Sequence, residues 1–409
     1  MILMKTTTCQ IWLCMAMMLV AALGVRAQEN ITHKLTDEPL PKTTIDKRKL
    51  VAELIPSVNI VCVSDNKKSL TLGLLGNVVR EDAYGLQIGG LCNHVGDMGG
   101  GVAIASLSNT SCGSYYGVQL SGLWNYTAFD TKGLMISGLG NWVNSGYDGL
   151  QLGGLANITR DAKAIQIAGL TNISKDVYGL QVVGLTNITQ DAYGLQLAGL
   201  FNASHDLYGM QLAGLFNCAK DVYGFQFAGL VNVAKRAQGV QFATILNVAE
   251  ESDFPIGLIN IIKEGDKGVA LTYDMLGNAV MSFHSGGKYT YGILGVGYNT
   301  QIEERLVVEA GYGLQIPVCR WLDINNEFKA TTMGYNSGYT RSNFSYLLAL
   351  SLTLWRHCNL FSGASINYFM SDRASEAALL PNVDLWRKEG DRGIGKLYLG
   401  YQVGVQYVF

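Results

Sequence analysis

The sequence predicts an all-β protein in two parts: an N-terminal β-solenoid of 15–16-residue coils, then a C-terminal transmembrane antiparallel β-barrel of about eight strands. Three observations lead there. One Asn recurs between residues 77 and 247, first every sixteen residues and then every fifteen. After about residue 265 the pattern changes to long, strict alternation of apolar and polar residues that runs to the terminal Phe409. Charged residues make up only 15% of the chain, whereas a soluble domain carries about 25%. Gly is abundant (49) and Pro rare (6), which suits repeated strands and tight turns.

The N-terminus reads as an export signal. Lys5 supplies the positive charge, Ile11 to Val25 is nearly unbroken apolar sequence, and Val25-Arg26-Ala27 puts a small residue before the expected cleavage ahead of Gln28. The segments expected are a signal peptide over 1–27, a linker and solenoid cap over 28–68, the solenoid over 69–264 and the barrel over 265–409. No later stretch has the roughly 18 apolar residues of a membrane helix, so any membrane crossing must use strands. A net charge of −2 offers no basic footprint for nucleic acid.

The repeat is read from its clearest unit, Tyr193-Gly194-Leu195-Gln196-Leu197-Ala198-Gly199-Leu200-Phe201-Asn202. Fifteen residues cannot bury a core alone, but stacked copies can. Leu195 and Leu197 flank Gln196 with the period of a strand, and Gly199 breaks the alternation. The expectation is that Leu195, Leu197 and Leu200 point inward and Gln196 outward. Asn202 is expected at a corner, in the left-handed conformation Asn tolerates, with its amide bonded to the same group one coil away. The rival is an antiparallel meander with one strand per unit. It requires odd and even units to differ, and they do not. Triplets such as Asn187-Ile188-Thr189 match a glycosylation acceptor, but repeat because the turn repeats. A calcium ladder on Asp161, Asp176, Asp191, Asp206 and Asp221 is disfavoured by the interleaved Arg160, Lys175 and Lys220.

In the barrel, the last strand places Leu397, Leu399, Tyr401, Val403, Val405, Tyr407 and Phe409 on one face, against Lys396, Tyr398, Gly400, Gln402, Gly404 and Gln406 on the other. One face suits lipid and the other a packed polar lumen. Four further strands segregate charge in the same way, and three weaker ones near 268–274, 279–284 and 288–299 bring the count to eight. Such a barrel is filled by side chains, so inward Glu, Lys, Asp and Asn are expected to form an ion-paired plug. Tight connections at 317–319 and 356–358 alternate with long ones at 331–343 and 371–394, the short-periplasmic, long-extracellular pattern. With an even strand count, both barrel termini and the solenoid fall on the periplasmic side. Residues 320–330 and 343–355 are expected to pair as a hairpin, which makes Cys319 and Cys358 a candidate disulfide.

The Gly-Leu-Gln-x-x-Gly-Leu-x-Asn repeat resembles that of the bacterial surface-repeat-containing protein family, over residues 69–260. The terminal Tyr407-Val408-Phe409 looks like the signature read by the barrel-assembly machinery. These resemblances imply a location in the outer membrane and a cell-envelope role, and carry no catalytic residues. A solenoid followed by a barrel is also similar to the order in autotransporters, which use a larger barrel.

No nucleophile elbow, paired-His metal motif or phosphate loop is present, and the five His are scattered. The expectation is a non-catalytic protein with no cofactor and no metal site. Its partners would be outer-membrane lipid, the barrel-assembly machinery and a glycan or protein ligand. The candidate ligand stripe is Tyr178, Tyr193, Tyr208 and Tyr223 beside Gln181, Gln196, Gln211 and Gln226. The alternative is a small-solute channel or transporter using the barrel.

Overall fold

The computed structural model describes residues 59–65, 70–301, 306–334, 341–372, 384–390 and 393–409; the expected signal peptide and most of the linker lie outside them. The chain is all-β, a parallel solenoid of about thirteen turns over residues 71–262 followed by a closed eight-strand antiparallel barrel. A first strand, Asn59–Ser64, already pairs in parallel with Thr71–Val79, inside the segment expected to cap the solenoid.

The solenoid register is the sequence repeat made spatial. Asn172 pairs with Asn187, Tyr178 with Tyr193 and Gln181 with Gln196, all in parallel, so the meander is excluded. At about 4.8 Å per coil the stack is roughly 60 Å long. The positive-φ position belongs to Gly, not Asn. Gly194 has φ 134°, and a Cβ there would sit 2.1 Å from the Gly179 carbonyl oxygen of the coil before. Asn202 lies instead within a strand and is fully buried.

The inside and outside of the coil are also reversed from expectation. Gln181, Gln196, Gln211 and Gln226 are 0–1% exposed, while Leu200 is 42% exposed and Leu195 and Leu197 lie on the outer side. The interior is narrow: Ala192 and Ala198 share it with the amides. Parallel stacking gives the inward amides from Gln151 to Gln241 an identical partner one coil away, so their burial is met by hydrogen bonds.

The barrel strands are β1 (Lys267–Asp274), β2 (Asn278–Gly286), β3 (Thr290–Asn299), β4 (Leu306–Cys319), β5 (Leu322–Met333), β6 (Arg341–Trp355), β7 (Cys358–Ser371), β8 (Asp384–Gly390) and β9 (Gly393–Val408). Sequential neighbours from β1 to β7 pair antiparallel, β7 pairs with β9, and β1 closes the eight-strand ring on β9 through Leu271 opposite Val405. Strand β8 lies in what reads as one long polar connection; it folds back on the first half of β9 beyond the reach of β1. Among the described residues, the connections at the solenoid end are 287–289, 320–321 and 356–357, and 275–277 joins β1 to β2 at the far end.

The barrel faces are as the alternation predicts. Val403, Val405, Tyr407 and Phe409 are exposed, while Lys396, Tyr398 and Gln402 are buried. Exposed aromatics gather at both ends of the wall. Trp321, Trp355, Tyr407 and Phe409 ring the solenoid end, and Tyr273, Tyr298, Phe344 and Trp386 the far end. Eleven residue steps separate Phe344 from Trp355. At about 3.4 Å each and a tilt near 40°, they span roughly 28 Å in height, close to the apolar band of an outer-membrane barrel.

Candidate functional site

The candidate stripe divides across the solenoid wall. The four Tyr side chains are on the outside and stack face to face, with ring centroids 4.5 Å apart for Tyr178 and Tyr193 and 4.8 Å for the next two pairs. Each interior ring face is covered by the next ring, so this ladder offers a ligand mainly ring edges and hydroxyls. Burial raises the Tyr193 and Tyr208 hydroxyls above the ordinary phenol range, helped by neighbouring Tyr and Asp side chains.

The four Gln side chains correct the expectation directly, because they cannot meet a ligand. Gln196 donates to Gln181 Oε1 (2.7 Å) and to Thr189 Oγ1 (3.1 Å), and accepts from Gln211 (2.8 Å). This amide ladder is continuous from Gln151 to Gln241. It fails where the sequence breaks the rule. Gln87 faces Ala103, and both its amide atoms lack a partner. A parallel Asn ladder runs unbroken from Asn77 to Asn260 at 2.7–3.1 Å. Thr127, Thr159, Ser174, Thr189 and Ser204, two positions after their Asn, hydrogen-bond the inward Gln residues, whereas the triplets they close were read in the sequence as turn chemistry. Their signal was present: a small hydroxyl residue recurs there beside an inward amide.

One edge of the solenoid carries the charge. His205 Nδ1 lies 3.0 Å from Asp206 and 3.9 Å from Asp191. Arg236 Nε donates to Asp221 Oδ1 at 2.7 Å and holds that carboxyl below the ordinary range. Asp191, His205 and Asp206 bring one possible ligand atom each within 4.8 Å of one another on this edge.

The barrel lumen is filled by an ionic cluster. Lys329 Nζ lies 3.2 Å from Glu327 and 3.8 Å from Glu309 and donates to Gln402 Oε1. Tyr291 donates to Glu327 Oε1 at 2.7 Å, and His284 stacks on the Tyr291 ring. All of these side chains are buried. They come from five strands, β2, β3, β4, β5 and β9, with Glu327 and Lys329 two residues apart on β5.

Cys319 and Cys358 do not bond; both are free thiols. The hairpin expected to join them does form, with Asp323 opposite Ser351. However, Cys319 pairs with Leu322, Leu322 with Leu352, and Leu352 with Leu360, which puts three strand spacings between the cysteine-bearing strands. That is about 14 Å, against the roughly 7 Å limit for a disulfide. Tyr407 and Phe409, the expected assembly signal, lie exposed at the solenoid end of β9, where the Phe409 amide donates to the Lys267 carbonyl. Compared with known families, curated proteins and solved structures, the chain matches none.

Proposed function

We propose that this chain is an exported outer-membrane protein in which a non-catalytic barrel anchors a structural, ligand-presenting solenoid at the periplasmic face. The observation that carries this reading is the barrel's cross-section: an apolar outer band between two aromatic rings around a lumen closed by Lys329, Glu309 and Glu327. Such a wall suits lipid, and a lumen filled by buried, ion-paired side chains weighs against the channel alternative. The two shortest connections of the eight-strand ring, 320–321 and 356–357, lie at the solenoid end, and short connections face the periplasm in outer-membrane barrels. The Lys5 to Ala27 segment supplies the export signal.

The test is expression with the native N-terminus in a Gram-negative host. The protein should fractionate with outer membranes, migrate differently unheated and boiled, and give no steady conductance in planar bilayers. Recovery in the soluble fraction would sink the barrel reading, and a stable open-pore current would replace the anchor with a channel.

A further inference from the structure

The exterior of the solenoid is apolar on two sides and charged on one edge only. Every Lys, Arg, Asp and Glu from Arg80 to Asp253 falls three to seven positions after a ladder Asn. The positions flanking each inward Gln, and the position two before each Asn, are aliphatic, Met or Phe along the whole stack. Leu155, Leu170, Leu185 and Leu200 are 40–44% exposed, as open as side chains in a stacked ladder become. Soluble proteins rarely leave an apolar patch of this length uncovered.

The junction with the barrel says what lies against it. The last coil docks on the outer face of the wall. The Asn260 amide nitrogen, which in every earlier coil donates to the next Asn, here donates to the Ser285 carbonyl at 3.0 Å. Its backbone N–H donates to Ser285 Oγ, also at 3.0 Å. Ser285 points outward from β2, and its neighbour Gly292 is outward on β3, where a Cβ would meet the Gly257 carbonyl oxygen at 2.2 Å. The wall therefore stands where a further coil would stack, and the rod leads away from it sideways. The next outward residues on those two strands are Phe283 and Leu294, members of the apolar band. The β2–β3 turn is also set high: Thr290 pairs with Leu314, and β4 continues five residues further to Cys319, with Ile316 and Val318 exposed. The end of the rod thus sits beside the apolar wall, not beneath it.

We propose that the solenoid lies along the membrane, with its aliphatic flanks against lipid acyl chains at the bilayer surface and its charged edge in water. The proposal rests on the barrel being a membrane anchor. It gives the repeat domain a ligand class, a lipid surface, that its outward residues fit. An amphipathic element of this kind buries its apolar face to about 5–10 Å at the headgroup boundary. A second copy fits less well, because protein interfaces carry about one hydrogen bond per 100–200 Å² and these flanks present almost no polar side chain with which to fix register.

The experiment places a photo-crosslinking benzophenone side chain at Leu155, Leu200, Lys175 or Leu350 of the full-length protein in phosphatidylethanolamine–phosphatidylglycerol vesicles. Lipid adducts are read by mass spectrometry. Yields at Leu155 and Leu200 should approach that at Leu350 on the barrel wall and exceed that at Lys175 about tenfold. Adducts at Leu350 but not at the two solenoid sites overturn this inference and leave the barrel reading intact. Protein–protein adducts of doubled mass at Leu200 overturn it in favour of a second copy. Absence of lipid adducts at Leu350 overturns the barrel reading and this inference together.

Discussion

In the solenoid, Asn187 finds its partner fifteen residues on, in Asn202; in the barrel, Lys329 finds Glu309, Glu327 and Gln402, up to 73 residues away. Both halves put polar groups inside and apolar side chains outside, yet they satisfy the buried groups by different means. The solenoid uses neutral amides, and translation by one coil guarantees that each donor meets an identical acceptor. A substitution there harms two neighbours equally. The barrel uses charges of opposite sign from β4 and β5, each placed once, so every member of the cluster has its own role. Repetition makes polar burial inexpensive to specify, whereas a closed barrel must specify it residue by residue.

The sharpest break of this comparison is Lys329→Met. It leaves Glu309 and Glu327 buried without their cation, and removing one partner of a buried pair costs about 3–5 kcal/mol. The urea midpoint of the unheated, folded band should fall accordingly, and adding Glu309→Gln and Glu327→Gln should recover much of the loss. An unchanged midpoint for the single variant would mean that the cluster carries no stability.

A smaller loss is expected from Asn202→Leu. It strips Asn187 of an acceptor and leaves Asn217 Oδ1 and the Leu212 carbonyl without a donor. Buried groups left unsatisfied cost about 1–3 kcal/mol each. Leu200→Ser, two residues away on the outside, should cost within about 0.5 kcal/mol in detergent. Thermal melts of the two variants decide the matter; greater damage from the outer substitution would reverse the inside-out assignment.

The smallest effect should come from Arg236→Gln. Asp221 is held below the ordinary carboxylate range chiefly by the hydrogen bond from Arg236. A depressed folded pKa stabilises above the unfolded value near 4 and loses that contribution as pH falls through the folded value. The melting-temperature gap between the native chain and the variant should be present at pH 7 and shrink at pH 3. A gap that is constant across that range would assign the Arg236 effect to packing.

The barrel was legible almost strand by strand, because alternation in a single-layer wall allows one assignment once charge marks the inner face. Gln402 and Val403 could face only one way. The solenoid was legible in register but not in polarity. Leu195, Gln196 and Leu197 alternate whichever side is the interior, and placing Leu inside follows the habit of proteins surrounded by water. Two signals pointed the other way: Ala198 shares the parity of Gln196, which implies a narrow interior, and no charged residue ever takes the Leu positions.

The sequence by itself determined the period, the parallel stack, a barrel of about eight strands and its apolar outer face, since each follows from local spacing that repeats or alternates. Only the tertiary structure decided that the Asn and Gln ladders are buried, that the positive-φ position is Gly194, that Cys319 and Cys358 are too far apart to bond, and that Asn260 ends its ladder on Ser285. Those outcomes depend on the width of a coil and the distance between strands, which arise only when separate segments are packed together.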